Sequence, residues 1–289
     1  MVKNFKPDII FSTANHLNLY LAIFRNQFDA KIKFIAREAS IVSITTQKTK
    51  MSALYDLLVK KYYKRYHLII CQSVYMQQDL VKYYHIAANK TSVIYNATQE
   101  ILNKPVQEKK QTTERVYKFI TIARLSKEKG IERLIHAVGL LSVPFQYFIT
   151  GEGNKRHELQ QLINELHLQQ KIILLGESTE PFTGMEDADL FLMGSYYEGF
   201  PNVLLEAGVH GIPVVAFNVP GGIAEIITEG ENGLLVEDND IIAFAANIKK
   251  ALVTNFNNAK IIETTKNRFS VNMMIRAIEN LFLKQGENK

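Results

Sequence analysis

Short apolar runs alternate with stretches of helical periodicity along this whole chain, and that pattern leaves few folds open. Ile9–Phe11, Ile32–Ala36, Leu68–Cys71 and Ser92–Tyr95 read as strands, with helical patterns over Ala14 to about Phe28, Met51–Tyr66 and Val74–Tyr84 between them. Residues 97–115 carry Pro105 and a polar run with no periodicity, and the alternation then restarts. Tyr117–Ile122, Phe145–Thr150, Ile172–Leu175, Asp189–Met193 and Val214–Phe217 read as strands. Ile131–Leu141, Lys155–His167 and Asn202–His210 read as helices, as do Ile241–Leu252, Asn258–Arg268 and Val271–Lys284. Apolar strands separated by helices predict parallel sheets covered on both faces, an α/β architecture with two Rossmann-like, doubly wound units. The units are expected at residues 1–100 and 116–270, with 101–115 as a linker and 271–289 as a closing helix that packs back on the first unit.

Composition narrows the setting. At about 100–200 residues per domain, 289 residues suit two cores. No apolar run approaches the ~18 residues of a membrane span, and the opening MVKNFKPDIIFS is too short in apolar residues for a signal peptide. The single Cys71 excludes a disulfide scaffold and paired-cysteine zinc sites and suits a reducing compartment, so the expected location is the cytoplasm. Charge is uneven: residues 1–110 hold 17 Lys and Arg against 7 Asp and Glu, whereas residues 111–289 hold 17 against 22. A basic first part suits an anionic partner. Its densest stretch, Lys60, Lys61, Lys64 and Arg65 interleaved with Tyr62, Tyr63 and Tyr66, fits either an anionic membrane surface or a solvated helix face with tyrosines packed inward. No nucleic-acid motif accompanies it, so nucleic acid is not an expected partner.

In doubly wound sheets ligands sit beyond the carboxyl ends of the strands, so the loops there carry the chemistry. After Ile122 come Arg124 and Lys129, two cations suited to a diphosphate, although a solvated loop with Gly130 at a helix start reads equally well. After Thr150 the turn Gly151-Glu152-Gly153 lets backbone approach a ligand, or is simply tight. After Met193 comes a loop with Glu198, Gly199, Phe200, Pro201 and Asn202, and Glu206 follows inside the helix that Pro201 opens. Its two carboxylates suit sugar hydroxyls, being acceptors only. After Phe217, Gly221 and Gly222 precede a helix whose free N–H groups suit a phosphate.

Arg124 with Lys129, the Gly-Glu-Gly turn, the Glu198-x7-Glu206 spacing and Pro220-Gly221-Gly222 together resemble the C-terminal domain of the retaining GT-B glycosyltransferases of family four, most nearly those building bacterial surface polysaccharides and glycolipids. The likeness extends to residues 7–100 through Arg37-Glu38 and Val93-Ile94-Tyr95-Asn96. The resemblance implies transfer of a sugar, with retention, from a UDP-linked donor to a lipid-linked or saccharide acceptor at the inner membrane face. It implies that Arg124 and Lys129 hold the diphosphate and stabilise the departing nucleotide, Glu206 the ribose and Glu198 the donor sugar. Gly199, Phe200, Pro201 and Asn202 would lie beside that sugar, and Gly151, Glu152, Gly153, Gly221 and Gly222 near the donor. The nucleotide-sugar is a substrate, with no cofactor and no metal.

Against that family the first domain is short, beginning at Lys6-Pro7-Asp8-Ile9 without the opening strand and glycine-rich loop. The expected first domain is thus incomplete, by truncation, by a partner chain that completes it or by a naturally reduced fold, and a non-catalytic or split subunit needing a partner chain is the alternative function, with a sugar-nucleotide epimerase behind it. Glu38 occupies the loop where many relatives place a catalytic histidine, and His16 is a second candidate after the first strand. Asp187-Ala188-Asp189 matches the Asp-x-Asp metal motif of the other large glycosyltransferase fold, but its place at the mouth of a strand marks it as a strand entry.

Overall fold

A computed structural model describes residues 5–47, 51–98 and 115–287, the side chains of 285–287 excepted. The chain forms two compact units. One takes in the described residues of Met1–Ala97, Glu198–Phe200 and Val271–Lys289, and the other those of Thr98–Tyr197 and Pro201–Ser270.

The first unit runs β1 (Ile9–Thr13), α1 (Asn15–Ile23), β2 (Lys33–Arg37), α2 (Val42–Gln47), α3 (Ser52–Tyr62), β3 (Leu68–Cys71), α4 (Val74–Tyr84) and β4 (Thr91–Val93). Its four strands lie in chain order, β1-β2-β3-β4, and every pairing is parallel. β3 is buried along its whole length and β2 at Phe34, Ile35 and Ala36, as a strand covered on both faces requires. Ser73 caps α4 by accepting from Met76 N at 3.1 Å, and His85 ends it in the left-handed region. The helical pattern expected from Ala14 to Phe28 is shorter. α1 stops at Ile23 and a single 3-10 turn, Arg25–Gln27, follows. The strand expected at Ser92–Tyr95 is displaced to Thr91–Val93.

The second unit runs β5 (Tyr117–Ile122), α5 (Ile131–Gly139), β6 (Phe145–Thr150), α6 (Arg156–Glu165), β7 (Ile172–Gly176), β8 (Leu190–Met193), α7 (Asn202–Val209), β9 (Val214–Asn218), α8 (Ile223–Ile226), β10 (Gly233–Glu237), α9 (Ile241–Val253) and α10 (Asn258–Arg268). Its strands are ordered β10-β9-β8-β5-β6-β7, all parallel. The winding therefore reverses between β5 and β8. α5 buries Ile131, Leu134, Ile135 and Val138 at helical spacing, and α9 and α10 start on side-chain caps from Asp240 and Asn257.

The last helix, α11 (Val271–Glu287), belongs to the first unit. Met274, Ile278, Leu281 and Phe282 recur on one face of it and pack on Ile35, Leu68, Ile70 and Ile94. The expected linker lies outside the described residues save for Arg115, which is ion-paired to Asp189.

Candidate functional site

Where the winding of a parallel sheet reverses, the loops on the two neighbouring strands leave in opposite directions and open a crevice beyond their carboxyl ends. In the second unit that point lies between β5 and β8. The loop after β5 carries Arg124, with its side chain 78% exposed and a loose 3.6 Å pair to Glu128, and Lys129, half-buried in the 3-10 turn Lys127–Lys129. An exposed pair of this kind holds little energy, so Arg124 can leave it at small cost.

The glycines of the next loop answer to a neighbour. A Cβ on Gly151 would overlap the Ala123 carbonyl, and one on Gly153 the Leu125 carbonyl. Leu125 N donates to Glu152 O at 2.8 Å and Lys155 N to Leu125 O at 2.8 Å. The Gly-Glu-Gly turn is thus pressed against the backbone of the Arg124 loop and fixes that loop's course, as a tight turn there requires. Glu152 is ion-paired to Arg156 at 2.8 Å.

The loop after β8 is held from below. Gly130 and Gly194 touch so closely that a Cβ on either would overlap the other's carbonyl. Gly130 also sits at φ +56°, a conformation that suits glycine. Arg133, 3% exposed, donates from Nε to Gly194 O at 2.6 Å, from Nη2 to Ser195 O and from Nη1 to Asp238 Oδ1 at 2.6 Å. Its guanidinium lies 4.1 Å from the Tyr196 ring centroid and 3.9 Å from that of Phe217. Sequence reasoning missed this residue. Its only signal is a cation beside the apolar positions of α5.

α7 follows, with Pro201 at its N-cap in an extended conformation, one position before the first helical residue, Asn202. Glu206 is half-buried, and burial raises its carboxyl pKa. Among the described residues its carboxylate has no hydrogen bond or ion pair. Gly221, at φ +124°, and Gly222 lead into α8, which is a single turn. The two glycines thus precede a helix start, as the sequence predicts, and the free N–H groups are those of that one turn.

In the first unit Glu38 is fully buried. Its Oε1 accepts from Asn18 Nδ2 at 2.7 Å and from Tyr63 OH at 3.0 Å, and Oε2 has no partner among the described residues. Burial pushes its pKa up to about 7. As placed, the Glu38 carboxyl is enclosed by core side chains rather than open to solvent. His16 is exposed on the first turn of α1. The segment Glu198–Phe200 is also part of this unit. Gly199 lies where a Cβ would come within 2.8 Å of Ala39 O, and Phe200, 5% exposed, stacks on Tyr95 at 5.2 Å. Packing explains Gly199 and Phe200 as placed.

The basic cluster separates into two parts. Lys60, Lys61 and Lys64 are exposed, with Lys60 paired to Asp56 at 2.7 Å. Arg65 is withdrawn: its Nη1 donates to the carbonyls of Ala22 at 3.2 Å and Ile23 at 2.8 Å, closing the end of α1. Tyr63 and Tyr66 are buried. Asp187 pairs with Lys118 Nζ at 2.5 Å and Asp189 accepts from Lys118 N at 2.9 Å, as a strand entry does. Among the described residues no cluster of three or more His, Cys, Asp or Glu is placed to hold a metal ion.

Comparison with known proteins bears on the whole chain. The family model described as glycosyl transferases group 1 matches residues 103–268, and that of glycosyltransferase family 4 matches residues 1–99. A Campylobacter jejuni protein named N-acetylgalactosamine-N,N'-diacetylbacillosaminyl-diphospho-undecaprenol 4-alpha-N-acetylgalactosaminyltransferase is 31% identical over 271 residues, covering 93% of this chain and 72% of that one. An uncharacterized glycosyltransferase of Methanocaldococcus jannaschii is 26% identical over 243 residues, covering 78% and 59%. The structure of Anabaena HepE in complex with UDP superposes with a TM-score of 0.82 at 21% identity, covering 98% of this chain and 80% of that one. The parallel two-unit architecture is the GT-B fold, and the chain belongs to the glycosyltransferases of family four.

Proposed function

We propose that this chain transfers a sugar, with retention, from a UDP-linked donor to a lipid-linked or saccharide acceptor in the assembly of a cell-surface polysaccharide or glycolipid. The observation that carries the reading is the loading of the β5/β8 reversal: Arg124 and Lys129 stand on one loop, and the other leads into α7 with its partly desolvated Glu206, unpartnered among the described residues. Two cations suit a diphosphate, and a carboxylate that only accepts suits a ribose diol. The UDP held by the Anabaena structure and the undecaprenol-linked acceptor in the name of the Campylobacter relative support the donor and acceptor classes.

In the proposed reaction the bond between the sugar C1 and the β-phosphate oxygen breaks while an acceptor hydroxyl bonds C1 from the same face. The hydroxyl proton passes to the departing phosphate oxygen. Arg124 and Lys129 neutralise the charge that develops on the diphosphate. Glu198 orients the donor sugar, and Gly221 and Gly222 offer backbone N–H groups to the donor. Neither a protein nucleophile nor a bound metal is required on this reading, so the transfer survives a chelator.

The acceptor would be met at an anionic membrane. α1 and α3 pack together; Leu17 and Tyr20 are exposed on α1 and Phe24 just after it, and Leu54 and Leu57 are exposed on α3, which ends near Lys60, Lys61 and Lys64. Exposed apolar residues together with exposed lysines suit a lipid surface. Among the described residues no helix is long and apolar enough to cross a membrane.

The test is transfer from a panel of radiolabelled UDP-sugars to undecaprenyl-diphosphate-linked saccharides, with the anomeric configuration of the product read by NMR. A product of retained configuration formed in the presence of EDTA is expected. An inverted product, or consumption of the UDP-sugar to an epimer without acceptor, contradicts the reading.

A further inference from the structure

We propose that Arg133 is a positioning residue that locks together the two loops at the β5/β8 reversal in the geometry the donor requires; the proposal rests on the donor-binding reading above. Burying a guanidinium is costly, and an ion pair alone seldom repays it. Among the described residues the one carboxylate that Arg133 meets, Asp238, has a side chain 38% exposed and lies outside both loops. Its remaining contacts have one theme. Nε and Nη2 form a fork to two successive carbonyls, Gly194 and Ser195, at the start of the loop after β8. The arginine itself stands three residues beyond Gly130, which touches Gly194 directly.

The same two segments are joined twice more. Tyr196 N donates to Glu128 O at 3.0 Å, beside Lys129, and Tyr196 OH donates to Glu132 Oε1 at 2.8 Å. Tyr196 also forms one side of the aromatic sandwich around the guanidinium, with Phe217 at the end of β9 on the other. One planar group thus sets the spacing between the backbone next to Lys129 and the backbone three residues before Glu198. Lysine cannot substitute: a compact ammonium offers neither a two-pronged fork nor a flat face for two rings. A core filler would need no such fork.

Three full-chain variants test this. Arg133→Lys keeps the charge and loses the fork. Asp238→Ala, at a half-exposed site, keeps the fork and leaves Nη1 with only its longer bond to Asn239 Oδ1 at 3.4 Å. Leu159→Ala, a buried apolar position on α6 that belongs to neither loop, is the control for lost stability. Hydrogen exchange without ligand and calorimetric titration with UDP are read for each. Arg133→Lys is expected to speed exchange at least tenfold in residues 123–130 and 194–197 with the rest of the sheet unchanged, and to weaken UDP at least tenfold. Asp238→Ala is expected to show the same pattern at two- to fivefold, and Leu159→Ala to leave UDP affinity within twofold. Exchange that rises evenly across the unit, or an affinity loss no larger than in Leu159→Ala, overturns the proposal and leaves Arg133 as a core ion pair. If the unaltered chain binds no UDP, the donor reading fails, and the confinement of exchange to the two loops decides the positioning role by itself. Should Arg133→Lys not fold, Asp238→Ala decides it in the same way.

Discussion

Arg124 and Glu38 are both ionisable residues at strand ends, and their surroundings give them opposite roles. Arg124 is exposed and loosely paired, so its removal should leave stability within about 0.5 kcal/mol. If it binds a diphosphate, Arg124→Ala should cost about 1.5–3 kcal/mol in UDP affinity, roughly ten- to a hundredfold, and nothing for uridine. Equal losses for UDP and uridine would remove the assignment. Glu38 is enclosed, with its pKa raised from 4.5 to about 7, so the folded state binds its proton more tightly than the unfolded one. Its contribution is therefore intact below pH 4.5 and is lost as pH rises toward 7, a change on the order of 3 kcal/mol. The facing groups are Asn18, Tyr63, Tyr55 and Tyr66, whose phenols burial keeps protonated over that range. Glu38→Gln should flatten the fall in melting temperature between pH 5 and 8, and an unchanged slope would mean that another group titrates. The positions of Arg124 and Lys129 after a strand and of Glu206 inside a helix were legible in the sequence because that spacing is local. It hid the burial of Glu38, the carbonyl contacts of Arg65 and the fork of Arg133, because each depends on residues far off in the chain.

At the scale of elements, β3, α4, β5, β6 and α10 were legible to the residue, since buried parallel strands are unbroken apolar runs and capped helices announce their ends. α2, Val-Ser-Ile-Thr-Thr-Gln, was not anticipated, for four of its six residues are β-branched and favour strands. It is held instead by Asp79, which accepts from Ser43 N at 3.1 Å. The glycines of the second unit were visible, but their reason was not: Gly130, Gly151 and Gly153 serve loop-to-loop contact. Gly130→Ala combines a positive φ with overlap on the Gly194 carbonyl, so it should cost more than about 2 kcal/mol in denaturant unfolding. Gly184→Ala, at φ +77° in open space, should cost only the conformational strain of about 1 kcal/mol. Similar costs for both would show that backbone strain outweighs the contact.

At the scale of the molecule, the first part's excess of cations and the exposed apolar residues of α1 and α3 point the same way. Binding to vesicles containing anionic lipid should fall as salt rises, and Leu54→Ser with Leu57→Ser should weaken it further. Equal binding to neutral vesicles would sink the membrane reading. The two-unit α/β organisation was legible from alternation alone, whereas the strand order that creates the β5/β8 reversal was not, because periodicity does not say which strands are neighbours. The central claim is that the second unit binds a nucleotide-sugar through Glu206 and the two cations. Calorimetric titration of the folded chain with UDP, beside Glu206→Ala, tests it most directly. The account predicts one saturable UDP site that Glu206→Ala weakens by about 1–3 kcal/mol. No UDP heat from the folded chain, or the same affinity in Glu206→Ala, would contradict it.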